Sequence, residues 1–419
     1  MRLRQRADPG MTTGLDSSCM TTHEHFSVLP ISTAKPAVTT ASPRPSLVRG
    51  VVRRSPSDVR LPAEDADGSS VVPDGRALQV LNIVRSSGAV TVDGGASRPA
   101  DRAALEGLLT AMILTAGEGL PMTPSSFAWM LHQAVSPRVR EALGVRADIG
   151  YAAARARGGR LARTLIERGD SPGLDGGSGR LAVDEMTSRL LGAAWRAQPT
   201  VVRERWLGDI ALTGGFITAA GTPSERPGVR GDRDAGSERD AGWFLRNPAA
   251  NGTGVPYRWG YEVQLAVVVP PPARAGWVPG SVVGLRLHRP GLCRPSMWLG
   301  MLTDALALHG HDACPPVGCE PEAPRVWRGA GWHGQGPGFV HGATALGYRV
   351  PGGRTRAEGP SGAVGKARVG AEAALGRTAS SRQGTRSVLG GLSGTSLVMA
   401  CELTAWHLSV VRRGNPGGF

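Results

Sequence analysis

"LGDIALTGGFITAAG" (residues 207–221) is where the chain changes period. Ahead of it, apolar residues recur at helical spacing. Residues 209–220 instead read as a strand of small and β-branched residues with a turn point at Gly214-Gly215. An apolar strand of this kind is a rigid mount for a catalytic acid. Its middle position holds Thr213, and Asp209 lies four residues back, about 13 Å along an extended chain.

Two further strand patterns follow, "YRWGYEVQLAVVV" (257–269) and "SVVGLRLHR" (281–289), after a long polar insertion that begins "GTPSERPG". "PSMWLGMLTDALALHG" (295–310) returns to helical spacing through Met297, Met301, Leu302, Ala305 and Leu306, with Gly310 as a stop. Upstream, "DRAALEGLLTAMILTAGEG" sets Ala104, Leu105, Leu108, Leu109, Met112 and Ile113 on one helical face before Gly117. Thr123 and Ser136 each precede a proline and read as N-caps of two short helices, the second closed by Gly144. That tandem reads as scaffold or as a helix-turn-helix. Residues 181–206 add an amphipathic stretch with Val183, Met186, Leu190 and Ala194 inward and Arg189, Arg196 and Arg203 outward. "ALQVLNIV" (77–84) is apolar, and its type stays open between helix and strand.

Helices, then three strands and a helix, place the chain in the α/β (α+β) class. The order opens a ribonuclease-H-like mixed sheet, in which a fourth strand follows the helix and pairs beside the first. The sequence offers no such strand: residues 313–419 contain no aspartate, are rich in glycine and arginine, and keep neither period. The expected organisation is therefore a mostly disordered 1–98, a helical and possible DNA-binding 99–207, a partial core at 208–312, and an irregular 313–419.

Bulk chemistry bounds the partners. The formal charge is +14, and every basic residue except Lys35 and Lys366 is arginine. Arginine suits bidentate phosphate contacts, so DNA is the first partner to consider, although G+C-rich coding also writes arginine. Glycine and proline number 60 and 32, nearly twice their usual share of about 12%. Five cysteines in 419 residues make no disulfide framework. The basic start lacks an apolar leader segment, and the longest apolar run, "VQLAVVV", is too short to span a bilayer. A cytoplasmic chain with no membrane partner is expected. No pattern specifies an oligomeric state.

Taken in order, "DRAALEGLLTAMILTAGEGLPMT", "WRAQPTVVRERWLGDIAL", "DAGWFLR", "WGYEVQLAVVV" and "GLRLHRPG" resemble segments of an actinobacterial transposase family of the DDE type. The likeness covers roughly residues 99–312. It implies a helical DNA-binding region ahead of a ribonuclease-H-like catalytic core whose three carboxylates hold two Mg²⁺ ions. Such ions, about 4 Å apart, activate the attacking oxygen and stabilise the leaving one during phosphoryl transfer on DNA. They require hard oxygen ligands. In relatives the first aspartate stands where this chain has Thr213. The second would follow "HGHDA", where Asp312 sits in a turn-like context, and Glu320, Glu322, Glu358, Glu372 and Glu402 match no third position. No catalytic residue transfers, so the resemblance implies a degenerate, inactive copy. A frameshift near codon 312 would account for the tail, whereas "ALGYRV" (345–350) resembles a downstream family segment and speaks for an intact frame.

Candidate sites outside that resemblance are few. Arg157, Arg160 and Arg163, at three-residue spacing in "YAAARARGGRLARTLIERG", predict either a phosphate-tracking helix face or a solvated basic one. His309, His311, Cys314 and Cys319 are four candidate Zn²⁺ ligands, although the spacing between the cysteines is unusual. "GAGWHG" (329–334) and "GAVGKA" match nucleotide-loop patterns without the strand and helix context those loops need. Asp209, or Asp232, Asp234, Glu238 and Asp240 of the polar insertion, remain alternative carboxylates for an active enzyme.

Overall fold

A computed structural model describes residues 71–91, 99–145, 151–170, 178–219, 240–245, 257–270, 280–292, 295–310, 323–328, 337–351, 389–414 and single positions between 362 and 370. All of them fall in one compact unit, Ser55–Phe419. The undecided "ALQVLNIV" is helix α1 (Asp74–Ser87), which buries Ala77, Val80, Leu81, Ile83 and Val84. Residues 71–91 are therefore part of the core, which corrects the expectation of a mostly disordered 1–98 over that span.

Helix α2 (Pro99–Gly117) buries Leu105, Leu108, Leu109, Met112 and Ile113, the face its periodicity specifies. Thr123 Oγ1 accepts from the Ser126 N–H at the start of α3 (Pro124–Trp129), and Ser136 Oγ accepts from the Val139 N–H at the start of α4 (Pro137–Ala142). Each cap satisfies an amide that has no carbonyl partner within its helix. Between them Met130–Ala134 widens into a π-helical turn. Helices α5 (Tyr151–Asp170), α6 (Ser178–Arg196) and α7 (Thr200–Arg203) then lead to the sheet.

Strand β1 (Ile210–Thr218) runs antiparallel to β3 (Tyr257–Val268), from Ile210 opposite Val268 to Thr218 opposite Gly260. The other edge of β3 is shared by β2 (Gly242–Leu245), opposite residues 257–260, and β4 (Val282–His288), opposite residues 262–267. After the crossover helix α8 (Pro295–Gly310) comes β5 (Val326–Arg328), which lies parallel to β1 on its free edge. The fourth strand that the sequence does not reveal is thus present. It occupies the place beside the first.

Helix α9 (Pro337–Ala345) and a final helix α10 (Gly391–Gly414) follow. These elements correct the expectation of an irregular 313–419 over residues 326–328, 337–345 and 391–414, and much of the rest of that range lies outside the described residues. One face of the sheet, through Ala211, Tyr261, Val263, Leu265, Leu285 and Leu287, shares a core with α1, α2, α6 and α10. The opposite face, through Ile210, Leu212, Ala266, Val268 and Val283, packs on Trp298, Met301, Leu302 and Ala305 of α8 and Phe339 of α9. A Cβ at Gly284 would stand 3.0 Å from Ala266 Cβ and 3.1 Å from Met301, so glycine lets α8 sit close on the sheet. Among the described residues no helix is long and apolar enough to cross a membrane.

Candidate nucleic-acid interface and the central strand

Among the described positions of α5, Gly158 and Ala162 are buried, and the helix packs against α3 and α6. At about 100° per residue, Arg160 lies opposite that buried stripe, with Arg157 and Arg163 about 60° to either side. Arg160 and Arg163 are exposed and Arg157 is half-buried. Arg163 Nε donates to the Gly159 carbonyl of its own helix at 3.3 Å. Among the described residues none of the three guanidinium groups meets a carboxylate. Its three arginines are brought together as their spacing predicts.

Arg157 also reaches the mouth of a small, mainly apolar cavity of about 40 Å³ lined by Gly107, Leu108, Leu131, His132 and Leu143. His132 sits on the π-helical turn, and its carbonyl accepts from Arg140 Nη1 at 3.1 Å. Burial, and then the Arg140 guanidinium, hold the His132 imidazole below its ordinary pKa. It is therefore neutral at pH 7 and adds nothing to the positive field of α5.

The central strand has a different character. Thr213 is 4% exposed and pairs with Leu265, on the sheet face that meets the helical core. Asp209, four residues earlier, is spoken for. Its Oδ1 accepts from the Arg325 backbone N–H at 2.7 Å, and its Oδ2 accepts from Arg325 Nε at 3.0 Å and Nη2 at 2.8 Å. Its backbone carbonyl accepts from Trp206 Nε1 at 2.9 Å. Arg325 in turn lies over the Trp327 ring, 5.4 Å from its centroid. Burial, and secondarily the Asp209 charge, raise the pKa of the nearby Tyr348 phenol, whose hydroxyl donates to the Leu302 carbonyl. Asp209 is a clasp between β1 and β5.

A second clasp holds α10. The Val282 N–H donates to His407 Nε2 at 2.8 Å, so the neutral ring carries its proton on Nδ1. Burial depresses this imidazole to about pKa 3. Neither partnership leaves a local mark in the sequence, because the residues lie 116 and 125 positions apart.

Of the four candidate zinc ligands only His309 lies among the described residues. It stands edge-on to Trp206 with ring centroids 5.5 Å apart and rests against Gly208. His311, Cys314 and Cys319 lie outside them, as do Asp232, Asp234, Glu238 and Asp312. Asp240 is exposed just ahead of β2. Among the described residues no three His, Cys, Asp or Glu side chains are grouped to hold a metal ion.

Sequence similarity names no relative: no protein-family model, no curated protein and no solved structure matches the chain.

Proposed function

We propose that the chain is a transposase-like DNA-binding protein on a ribonuclease-H-like core, without phosphoryl-transfer activity, and that the arginine face of α5 is its phosphate contact. The observation that supports the core is the course of the sheet. Strand β3, antiparallel to both β1 and β4, and those two strands are followed by a crossover helix and by β5, parallel to β1 at its other edge. That order is the one the resemblance implies.

The residues present do not fit two Mg²⁺ ions. Thr213 offers a neutral hydroxyl at the position of the first carboxylate. Both oxygens of Asp209 are taken by Arg325. Strand β5 sets Val326, Trp327 and Arg328 opposite Ile210, Ala211 and Leu212, with no acid among them. Hard divalent ions need anionic oxygens, and a guanidinium near the site would repel them. No catalytic step is assigned to these residues.

Binding through α5 is electrostatic, and its signature is the salt dependence. Three arginines that neutralise three phosphates contribute about 2.7 to the slope of log K against log salt. The contribution corresponds to roughly a 40-fold loss of affinity between 50 and 200 mM salt. Fluorescence anisotropy with a labelled duplex tests the proposal. Replacing Arg157, Arg160 and Arg163 together by Ala should flatten the slope by about 2.7. An unchanged slope, or no affinity of the intact chain at low salt, would remove the assignment. Mg²⁺-dependent nicking of DNA by the purified chain would refute the claim of inactivity.

A further inference from the structure

The sheet face that meets α8 is apolar at one end and aromatic at the other. Toward the far ends of β1 and β2, Phe216 and Phe244 stack on one another with ring centroids 5.2 Å apart and an interplanar angle of 29°. Register places both on that face: Phe216 lies opposite Glu262 and Phe244 opposite Arg258, in the even-numbered row of β3 that continues to Ala266 and Val268. Both rings are half-buried rather than enclosed.

Gly260 lies between them in the same row. A Cβ there would fall 2.8 Å from Phe216 Cζ and 2.0 Å from the Ile217 carbonyl oxygen, so the absence of a side chain is what lets the phenyl ring lie down on the sheet. Two cations frame the pair. Arg258 is exposed, and the aliphatic stem of Arg289 crosses Gly242 of β2, with its Cγ 2.8 Å from where a Cβ would be. Among the described residues neither guanidinium has an ion-pair or hydrogen-bond partner. The neighbouring acid, Glu262, is engaged: its Oε2 accepts from the Gly291 N–H at 3.3 Å and lies 3.8 Å from His288 Nδ1.

From this juxtaposition we propose that Phe216 and Phe244 form a stacking platform for an unpaired base of single-stranded DNA, with Arg258 and Arg289 receiving the flanking phosphates. Aromatic rings on a sheet accept any base because every base has a π-face, and guanidinium groups supply the charge that a sugar-phosphate strand needs. A base held in a duplex is stacked on both sides and cannot use the platform. The site thus prefers single strands, whereas α5 accepts either form. The inference rests on the reading of the chain as a DNA-binding protein, and it adds a second contact of different chemistry.

The test compares a labelled oligothymidine with a duplex of equal length at one salt concentration. Leucine replaces each ring with apolar bulk and no π-face, so Phe216→Leu and Phe244→Leu are the variants, with thermal melts to show that both remain folded. Each should lose about tenfold in affinity for oligothymidine and leave duplex affinity unchanged. Bromodeoxyuridine-substituted oligonucleotide should crosslink within residues 210–218 or 242–245. A folded Phe244→Leu variant with full affinity for the single strand, or crosslinks confined to α5, would overturn the platform while leaving duplex binding by α5 intact. No binding of either DNA by the intact chain would overturn both proposals.

Discussion

Asp209→Ala is the most informative perturbation, because it cuts the bond between the strand that opens the sheet and the strand that closes it. The Asp209 side chain is 7% exposed and that of Arg325 is 34% exposed. Alanine removes three acceptor contacts at once, 2.7, 2.8 and 3.0 Å long, and leaves the Arg325 amide and guanidinium without their carboxylate. Breaking a buried ion pair costs about 3–5 kcal/mol. Water reaches a third of Arg325 and recovers part of its charge, so the lower end applies and the expected loss is about 3 kcal/mol. Domains carry only about 5–15 kcal/mol in total, so the change is a large fraction.

Asp209→Asn sharpens the test. It keeps an oxygen for the Arg325 N–H and loses the charge, so it should cost about half as much. The assay is urea unfolding followed by far-UV circular dichroism at pH 7, with the m-value compared across variants. An Asp209→Ala midpoint within about 0.5 kcal/mol of the parent would refute the reasoning. It would mean that β5 does not depend on its clasp. The topology argument for the core would lose its support at that point.

Two further outcomes follow from the residues after 312. A chain stopped at Asp312 loses the buried side chains of Val326, Phe339, Tyr348, Leu397, Val398, Met399 and Leu403, each worth about 1.5–3 kcal/mol. Such a chain should show no cooperative thermal transition, and a sharp one would count against the placement of α10. His407 should make the fold acid-sensitive. Its imidazole is held near pKa 3 when folded, against 6.5 for the free side chain. Its contribution is complete above pH 6.5 and is lost as the pH falls from 6.5 toward 3. Between pH 7 and pH 5 the loss is about 2 kcal/mol. Gln, whose side-chain oxygen can accept the Val282 N–H, should remove that part of the pH dependence in His407→Gln, and parallel unfolding curves for the two proteins across this range would contradict the assignment.

What the sequence makes legible is what contrast makes legible. Helix α2 is legible because Leu105, Leu108, Leu109, Met112 and Ile113 recur at helical spacing in a run of apolar residues, and Thr123 and Ser136 mark helix starts because an amide without a partner selects an oxygen-bearing side chain. Helix α10 is harder to read, because its inward positions are more often polar. Ser393, Thr395, Ser396, Cys401, Thr404 and His407 are buried together with Leu397, Val398, Met399 and Leu403, so polar and apolar letters point inward alike. Strand β5 spans only Val326–Arg328, too few residues to show an alternation. The arginine row of α5 could be read from spacing, because helical neighbours are neighbours in sequence. The pairing of Phe216 with Phe244 could not, because sheet register sets it across two loops.

The partners of the late segments bear on the chain's reading frame. Text read in a foreign frame carries arginine and glycine by composition, but it has no reason to complement side chains encoded upstream. Here the Arg325 guanidinium meets the only acid of β1's approach, at a separation of 116 residues. His407 supplies an acceptor to an amide of β4, 125 residues away. The Tyr348 hydroxyl reaches a carbonyl of α8. Three polar groups, each buried or half-buried, are each matched to a group before 312, and an unmatched polar group in those places costs about 1–3 kcal/mol. Such matches favour an intact frame over a frameshift near codon 312. On that reading Thr213 stands buried in the strand that pairs with both β3 and β5. The acid nearest to Thr213 along the chain, Asp209, is engaged by Arg325 at the start of β5.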